Sequence, residues 1–309
     1  MDNLLIGLAF ILSFLFGWNN SSLLIGNLRG AGSTSYAATV LISVFGLLVG
    51  TFLEGSKMVG SLAGSIAPTA TTSVMLATLL VSVLLTLVLT LMDLPVSFSM
   101  IMVGAFMGAV YSQALPLDVG HSELIVAFWF LAPAATALVT ALIYASFSRL
   151  VSDIGLLTVD YLNRAGAVVS GLAVSYTLGA NNIGLFYGGT LAGLPVNLGI
   201  VVVLVAVAAL GVVTFGRNAL GGTIGDKMLS LSPQGVFSAF VSSSIVVEIG
   251  TQFALPVSIT QCLLGGMLGA AYSRAISQVN GKLVKETLSL WVLAPLAAAG
   301  LAYVAGSLL

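Results

Sequence analysis

An all-α polytopic membrane protein, made of two inverted five-segment repeats with discontinuous helices, is the fold class this sequence predicts, and three observations predict it. Hydrophobic residues make up 59% of the 309 residues and charged residues only 6%, against roughly 25% charge in a soluble domain. The stretch Leu94-Pro95-Val96-Ser97-Phe98-Ser99 is nearly copied as Leu255-Pro256-Val257-Ser258-Ile259-Thr260, 161 residues later (255 − 94). Five apolar segments fall in each half, and an odd number of crossings per copy sets the second copy upside down relative to the first.

The duplication runs well past the Pro motif. Gly104, Gly108, Ala109, Tyr111, Ser112 and Ala114 recur as Gly265, Gly269, Ala270, Tyr272, Ser273 and Ala275. Trp129 and Pro133 recur as Trp291 and Pro295, and Asn19-Asn20 as Asn181-Asn182, both 162 apart (291 − 129, 181 − 19). The chain therefore divides into a first repeat, 1–147, a cytoplasmic amphipathic connector, 148–164, carrying Arg149, Asp153, Asp160 and Arg164, and a second repeat, 165–309.

A helix needs about 20 apolar residues to cross a bilayer. In the first repeat such segments lie at 3–27, 34–53, 70–92, 94–114 and 121–147; in the second, at 165–190, 196–216, 235–253, 255–275 and 286–307. The first and sixth are interrupted by their Asn pairs. The fourth and ninth open on Pro and are rich in small residues, so they read either as crossings or as re-entrant hairpins. The N-terminus has no basic region and no obvious cleavage site, so the first run reads as a retained span.

Short cytoplasmic loops carry an excess of Lys and Arg. With ten crossings, Arg29, Arg149, Arg164, Arg217, Lys227, Arg274, Lys282 and Lys285 share one side and only Lys57 is opposite. If segments four and nine alone fail to cross, the split is four against five. The biased arrangement selects ten crossings of the cytoplasmic membrane with both termini outside. Charge in the equivalent loops agrees with inversion: Asp118, His121 and Glu123 follow one Pro motif, whereas Arg274, Lys282 and Lys285 follow the other.

Several classes are excluded. A net charge of −1 offers no footprint for nucleic acid. One cysteine, Cys262, and one histidine, His121, supply neither a disulfide nor a metal cluster. No Gly-Lys-Ser/Thr follows the glycines of 216–225, so this is no Walker loop. Trp129-Pro133 and Trp291-Pro295 read as kinks with interfacial aromatics.

The polar residues inside the apolar segments are the candidates for function. Pro suits the first turn of a helix and a nearby Ser or Thr can cap it, so Pro95 and Pro256 mark the starts of half-helices. Free N–H groups at such starts attract anions. Ser97, Ser99, Ser258 and Thr260 add hydroxyls and Gln261 an amide. Asn19, Asn20, Asn181 and Asn182 must be paired across helices or line a polar cavity, because unpaired amides in hydrocarbon are costly. Glu248 is the one acidic residue placed well inside a segment. It is either a proton-coupling group or a water-facing vestibule residue.

At these residues the chain resembles the inorganic phosphate transporter (PiT) family. That family has two inverted halves, each with a Gly-Ala-Asn-Asp motif in its first span and a Pro-Val-Ser-Thr-Thr-His type motif in a later one. The matching positions are Gly17-Trp18-Asn19-Asn20 with Gly179-Ala180-Asn181-Asn182, and Pro95 to Met100 with Pro256 to Gln261. The resemblance implies a secondary active transporter that moves inorganic phosphate by alternating access. It also implies that Asn20 and Asn182 stand where the family has the carboxylates that help bind the coupling cation. Amides weaken a sodium site, because hard cations favour anionic oxygen. The coupling ion is thus H+ or Na+, with Glu248, Asn20 and Asn182 as candidate ion-coupling residues, and no other cofactor is expected.

The same substitutions bear on the cargo. Phosphate keeps a proton and rewards an acceptor, whereas sulfate prefers donors alone. Amides for carboxylates therefore raise the alternative of a divergent member of the sulfate-transporting branch, proton-coupled rather than sodium-coupled. A passive anion or solute channel is the alternative of another class. An intramembrane enzyme lacks a nucleophile and base. The partners expected are phosphate or sulfate and the lipid bilayer, with a homodimer left open.

Overall fold

In a computed structural model of the chain, residues 2–26, 34–92, 94, 97–189, 197–216, 231–273 and 280–309 are described. Every regular element among them is helical, as a chain must be if lipid leaves its backbone no water to bond. The first repeat contributes α1 (Asp2–Ser21), α2 (Tyr36–Val59), α3 (Thr72–Leu91), α4 (Phe98–Ser112) and α5 (Val119–Leu150). The second contributes α6 (Leu156–Leu178), the short α7 (Gly184–Gly188), α8 (Leu198–Phe215), α9 (Pro233–Gln252), α10 (Ile259–Ser273) and α11 (Gly281–Leu308). Side-chain oxygens start several of them: Ser35, Thr71, Asp118, Asn197 and Ser232 each accept a first-turn backbone N–H.

The second Asn pair lies in a widened turn and the first just before one, and neither pair breaks its helix. Asn181 and Asn182 sit in a π-helical turn, Gly179–Ile183, that joins α6 to α7; Asn19 and Asn20 end α1 just before the π-turn Ser22–Gly26. A π-turn absorbs an extra residue without ending the helix, and such turns gather at functional sites. The expected interruption is thus a change of pitch.

Segments three and four form one antiparallel hairpin, and so do eight and nine. At the open end of the first, Thr71 and Ser73 before and within α3 hydrogen-bond Gln113 just after α4, at 2.8 and 3.0 Å. In the second, Gly250 of α9 faces Val257 and Gly266 of α10 faces Ala239 of α9. The return arms α4 and α10 have 15 residues each, about 22 Å at 1.5 Å per residue against about 30 Å of hydrocarbon. Among the described residues, six helical stretches are long and apolar enough to cross alone; α3 is one of them and neither return arm is. Whether a hairpin crosses twice or returns on itself, every basic residue stays on the side that the sequence assigns to it.

Before each of three Pro residues the chain turns in the same way. Leu94, Leu115 and Leu255 donate their N–H five residues back, to Leu89, Val110 and Gly250, the closure that ends a helix with a left-handed residue. Ala114 and Ala254 supply that conformation, with φ of 50° and 55°. Asp93, Pro95 and Val96 lie outside the described residues, as do Arg29, Arg217, Lys227 and Arg274; the start expected at Pro95 is seen only from its N-cap, Ser97.

Glycines carry the packing between the halves. A Cβ on Gly104 or Gly108 of α4 would lie 2.4 or 2.0 Å from the carbonyl oxygens of Pro295 and Ala299 in α11; one on Gly265 or Gly269 of α10 would lie 2.2 Å from those of Pro133 and Ala137 in α5. Gly17 meets Ala208 and Gly179 meets Leu47 in the same manner. Each half thus packs its small-residue faces against the other half, the close backbone approach that membrane helices use. Residues 148–164, read as a connector, are shared among the end of α5, a short turn and the start of α6, where Asp160 and Arg164 pair at 3.0 Å.

Candidate anion-binding site

The two hairpin tips meet. Ser97, Phe98 and Ser99 from the first and Ser258, Ile259 and Thr260 from the second line one cavity with Phe16 and Asn20 of α1 and Asn182 of the second π-turn. Its non-atom space is about 170 Å³ with the open mouth counted, but the room inside is about 10 Å³, enough for about one water. Six of the residues singled out in the sequence are here: Asn20, Asn182, Ser97, Ser99, Ser258 and Thr260. Among the described residues, none that lines it carries a formal charge.

Several of these polar groups are buried without a protein partner. Asn20 Oδ1, Ser97 Oγ, Ser99 Oγ and Asn182 Nδ2 make no hydrogen bond, although their residues are 1–8% exposed. Each such group costs about 1–3 kcal/mol when left unsatisfied, so four on one cavity wall mark a place built for a polar solute. Asn20 is oriented by its own helix. Its Nδ2 donates to the Phe16 carbonyl at 2.9 Å, which turns the Oδ1 acceptor the other way; a flipped amide would set two oxygens face to face.

Both helix starts add donors. Ser97 is the N-cap of α4 in extended conformation, and its hydroxyl makes no cap bond. Ser258 caps α10 through the Gln261 N–H at 3.3 Å and shares a 2.9 Å hydroxyl bond with Thr260. First-turn N–H groups without intrahelical partners are the usual anion donors of a helix end. Beside the polar wall, Phe16, Phe98 and Phe186 form a buried ring cluster with centroids 5.2–6.0 Å apart. It puts an apolar ring at the position where the resembled family carries a Thr.

Three further candidates do not line the cavity. Asn19 donates to Thr90 Oγ1 of α3 at 3.3 Å. Asn181 donates to Thr251 Oγ1 at 3.0 Å and to the Leu255 carbonyl at 3.2 Å. Gln261 is 1% exposed in the first turn of α10, with both amide atoms unpartnered. Glu248 also stands apart: through the Gln252 amide, which donates to it and to Glu54 of α2, it joins a group in which Lys57 bonds Gln252 at 2.5 Å and Glu54 at 3.3 Å.

Trp129 was misplaced by sequence reasoning. It is 5% exposed, and its indole N–H donates to the Pro256 carbonyl at 3.0 Å, so it braces the second tip instead of sitting at an interface. His121 lies in the first turn of α5, not in a loop. Thr90, Thr251, Glu54 and Phe186 gave no signal in the sequence, because a lone Thr or Phe in an apolar run reads as helix filler. No cluster that could hold a metal ion occurs among the described residues.

Comparison with known proteins gives this arrangement a family. A solved structure described as "The sodium-dependent phosphate transporter" superposes with a TM-score of 0.84 over 99% of this chain and 98% of that one, at 18% identity, and so shares the fold. The "Putative phosphate permease" of Methanocaldococcus jannaschii is 25% identical over 297 residues, 96% of this chain and 94% of its own length. A protein of the same description from Haemophilus influenzae is 27% identical over 135 residues, 43% of this chain and 26% of that one. The profile of the Phosphate transporter family matches residues 16–302. That match takes in both Asn pairs, both hairpins and every residue lining the cavity: the chain is a multi-pass membrane protein that belongs to the phosphate transporter family.

Proposed function

We propose that the protein carries inorganic phosphate across the cytoplasmic membrane by alternating access, binding it in the cavity between the two hairpin tips. One observation carries this reading: unpartnered buried polar atoms from both halves of the chain converge on a single uncharged cavity flanked by two helix starts. The reciprocal glycine contacts between the halves support inverted repeats, and a site at the junction of such repeats is where alternating access needs it. Ser97, Ser99, Asn182 and the helix starts donate. Asn20 accepts.

That acceptor favours phosphate over sulfate. A protonated oxyanion has a hydrogen to give Asn20 Oδ1, whereas sulfate leaves the acceptor facing negative oxygens, and an unpaired buried acceptor is what rejects the wrong ligand. The sequence argument that amides tilt toward sulfate counted lost charge but could not see which end of the amide faces the cavity.

For coupling we assign the proton, through Glu248 and its neighbour Glu54. Neutral Asn20 and Asn182 offer a sodium ion no anionic ligand, whereas Glu54 and Glu248 bring two carboxyl groups to one ammonium, Lys57, joined through Gln252. Uptake of radiolabelled phosphate into proteoliposomes tests both parts. Saturable uptake driven by an inward pH gradient, lost in Glu248→Gln, is expected. Uptake driven by sodium alone removes the coupling assignment, and flux that neither saturates nor shows counterflow replaces the transporter by a channel.

A further inference from the structure

The two residues of each Asn pair face different tasks. Asn20 and Asn182 line the cavity. Asn19 and Asn181, one residue earlier, reach the outgoing arm of a hairpin, and they reach equivalent residues: Thr90 of α3 and Thr251 of α9, 161 apart (251 − 90). The pattern of the bonds is thus duplicated along with the sequence. Asn181 holds a second point on the tip, the Leu255 carbonyl. Because a carbonyl and the Thr oxygen receive its Nδ2 hydrogens, the assignment of the amide is fixed by its partners.

We propose that Asn19 and Asn181 are positioning residues that tie each hairpin to the helix turn reading the substrate, so that an anion drawn onto Asn20 or Asn182 moves a hairpin tip. The reading rests on the cavity being the phosphate site. Adjacent residues of one turn cannot move independently. A shift of Asn182 toward a ligand carries Asn181 with it, and through Thr251 and Leu255 it carries the segment that starts α10. The π-turn at Gly179–Ile183 is where such a shift is least resisted, since its hydrogen-bond ring is already widened. Asn19 and Thr90 repeat the device on the other hairpin, so both tips answer to one bound anion.

The test separates binding from turnover. Phosphate affinity by equilibrium binding and maximal uptake rate in proteoliposomes are measured for Asn181→Ala, Thr251→Val, the double variant and Asn182→Ala. Asn181→Ala and Thr251→Val should each cut the maximal rate about three- to tenfold with affinity within about twofold, and the double variant should be no worse than either single, as for two ends of one bond. Thr251→Ser, which keeps the hydroxyl, should restore the rate and covers the case in which Asn181→Ala does not fold. Asn182→Ala should weaken binding. The proposal is overturned if Asn181→Ala loses affinity as Asn182→Ala does, if the double variant is additive, or if Thr251→Ser behaves like Thr251→Val. Unchanged affinity in Asn182→Ala would instead count against the cavity itself.

Discussion

Asn20 shows how much one bond can settle. The sequence places an amide where the resembled family pattern has a carboxylate, and only the 2.9 Å bond to the Phe16 carbonyl decides which of its ends faces the cavity. The expected consequence is selective: Asn20→Ala should weaken phosphate binding about tenfold or more, the weight of a hydrogen bond to a charged group, while sulfate binding stays the same or improves. Competition between the two anions in a binding assay measures this, and parallel losses for both would remove Asn20 from the discrimination. Most of the polar wall was legible as residue types, since Ser97, Ser99, Ser258, Thr260 and the second Asn of each pair stand out in an apolar chain. Their division into cavity-lining and hairpin-bound residues was not, because it depends on which neighbours each side chain meets and, for Asn181 and Asn182, on a π-turn that no periodicity announces.

At the level of elements, the hairpins depend on faces that admit nothing larger than hydrogen. Gly269 approaches the Ala137 carbonyl so closely that an added methyl would stand 2.2 Å from its oxygen, and backbone on both sides cannot yield cheaply. Gly269→Ala should therefore part α10 from α5, with a loss of thermal stability in detergent of several kcal/mol, in the range of severe overpacking. Gly300, whose Cβ position meets nothing within 4 Å, is the control that should be tolerated. The pairing of these glycines could be read as a repeat in the sequence but not assigned to partners. Likewise, charge counting cannot tell two separate crossings from one hairpin, since both leave the loops on the same sides.

For the molecule as a whole, symmetry is kept at the cavity between the hairpin tips and abandoned beside it. Glu248 and Gln252 correspond by repeat to Leu87 and Leu91, and Glu54 and Lys57 to Gly216 and Ala219, so the ionic group that binds the second hairpin to α2 has no counterpart at the equivalent positions. If Glu248 couples the proton as proposed, the pH response should belong to one face of the membrane. The family and the helical membrane fold were readable from the sequence, because motifs and composition survive divergence; the ionic group was not, because Glu54 and Glu248 are 194 positions apart (248 − 54).

The glycine faces of each half are filled by backbone from the other, and this makes the chain a permanent embrace of two incomplete bodies. Cut in the turn near Gly155 and produced as two polypeptides, the pieces should find each other in the bilayer and recover transport. Either piece produced by itself should be degraded or self-associate, its grooves seeking a substitute copy.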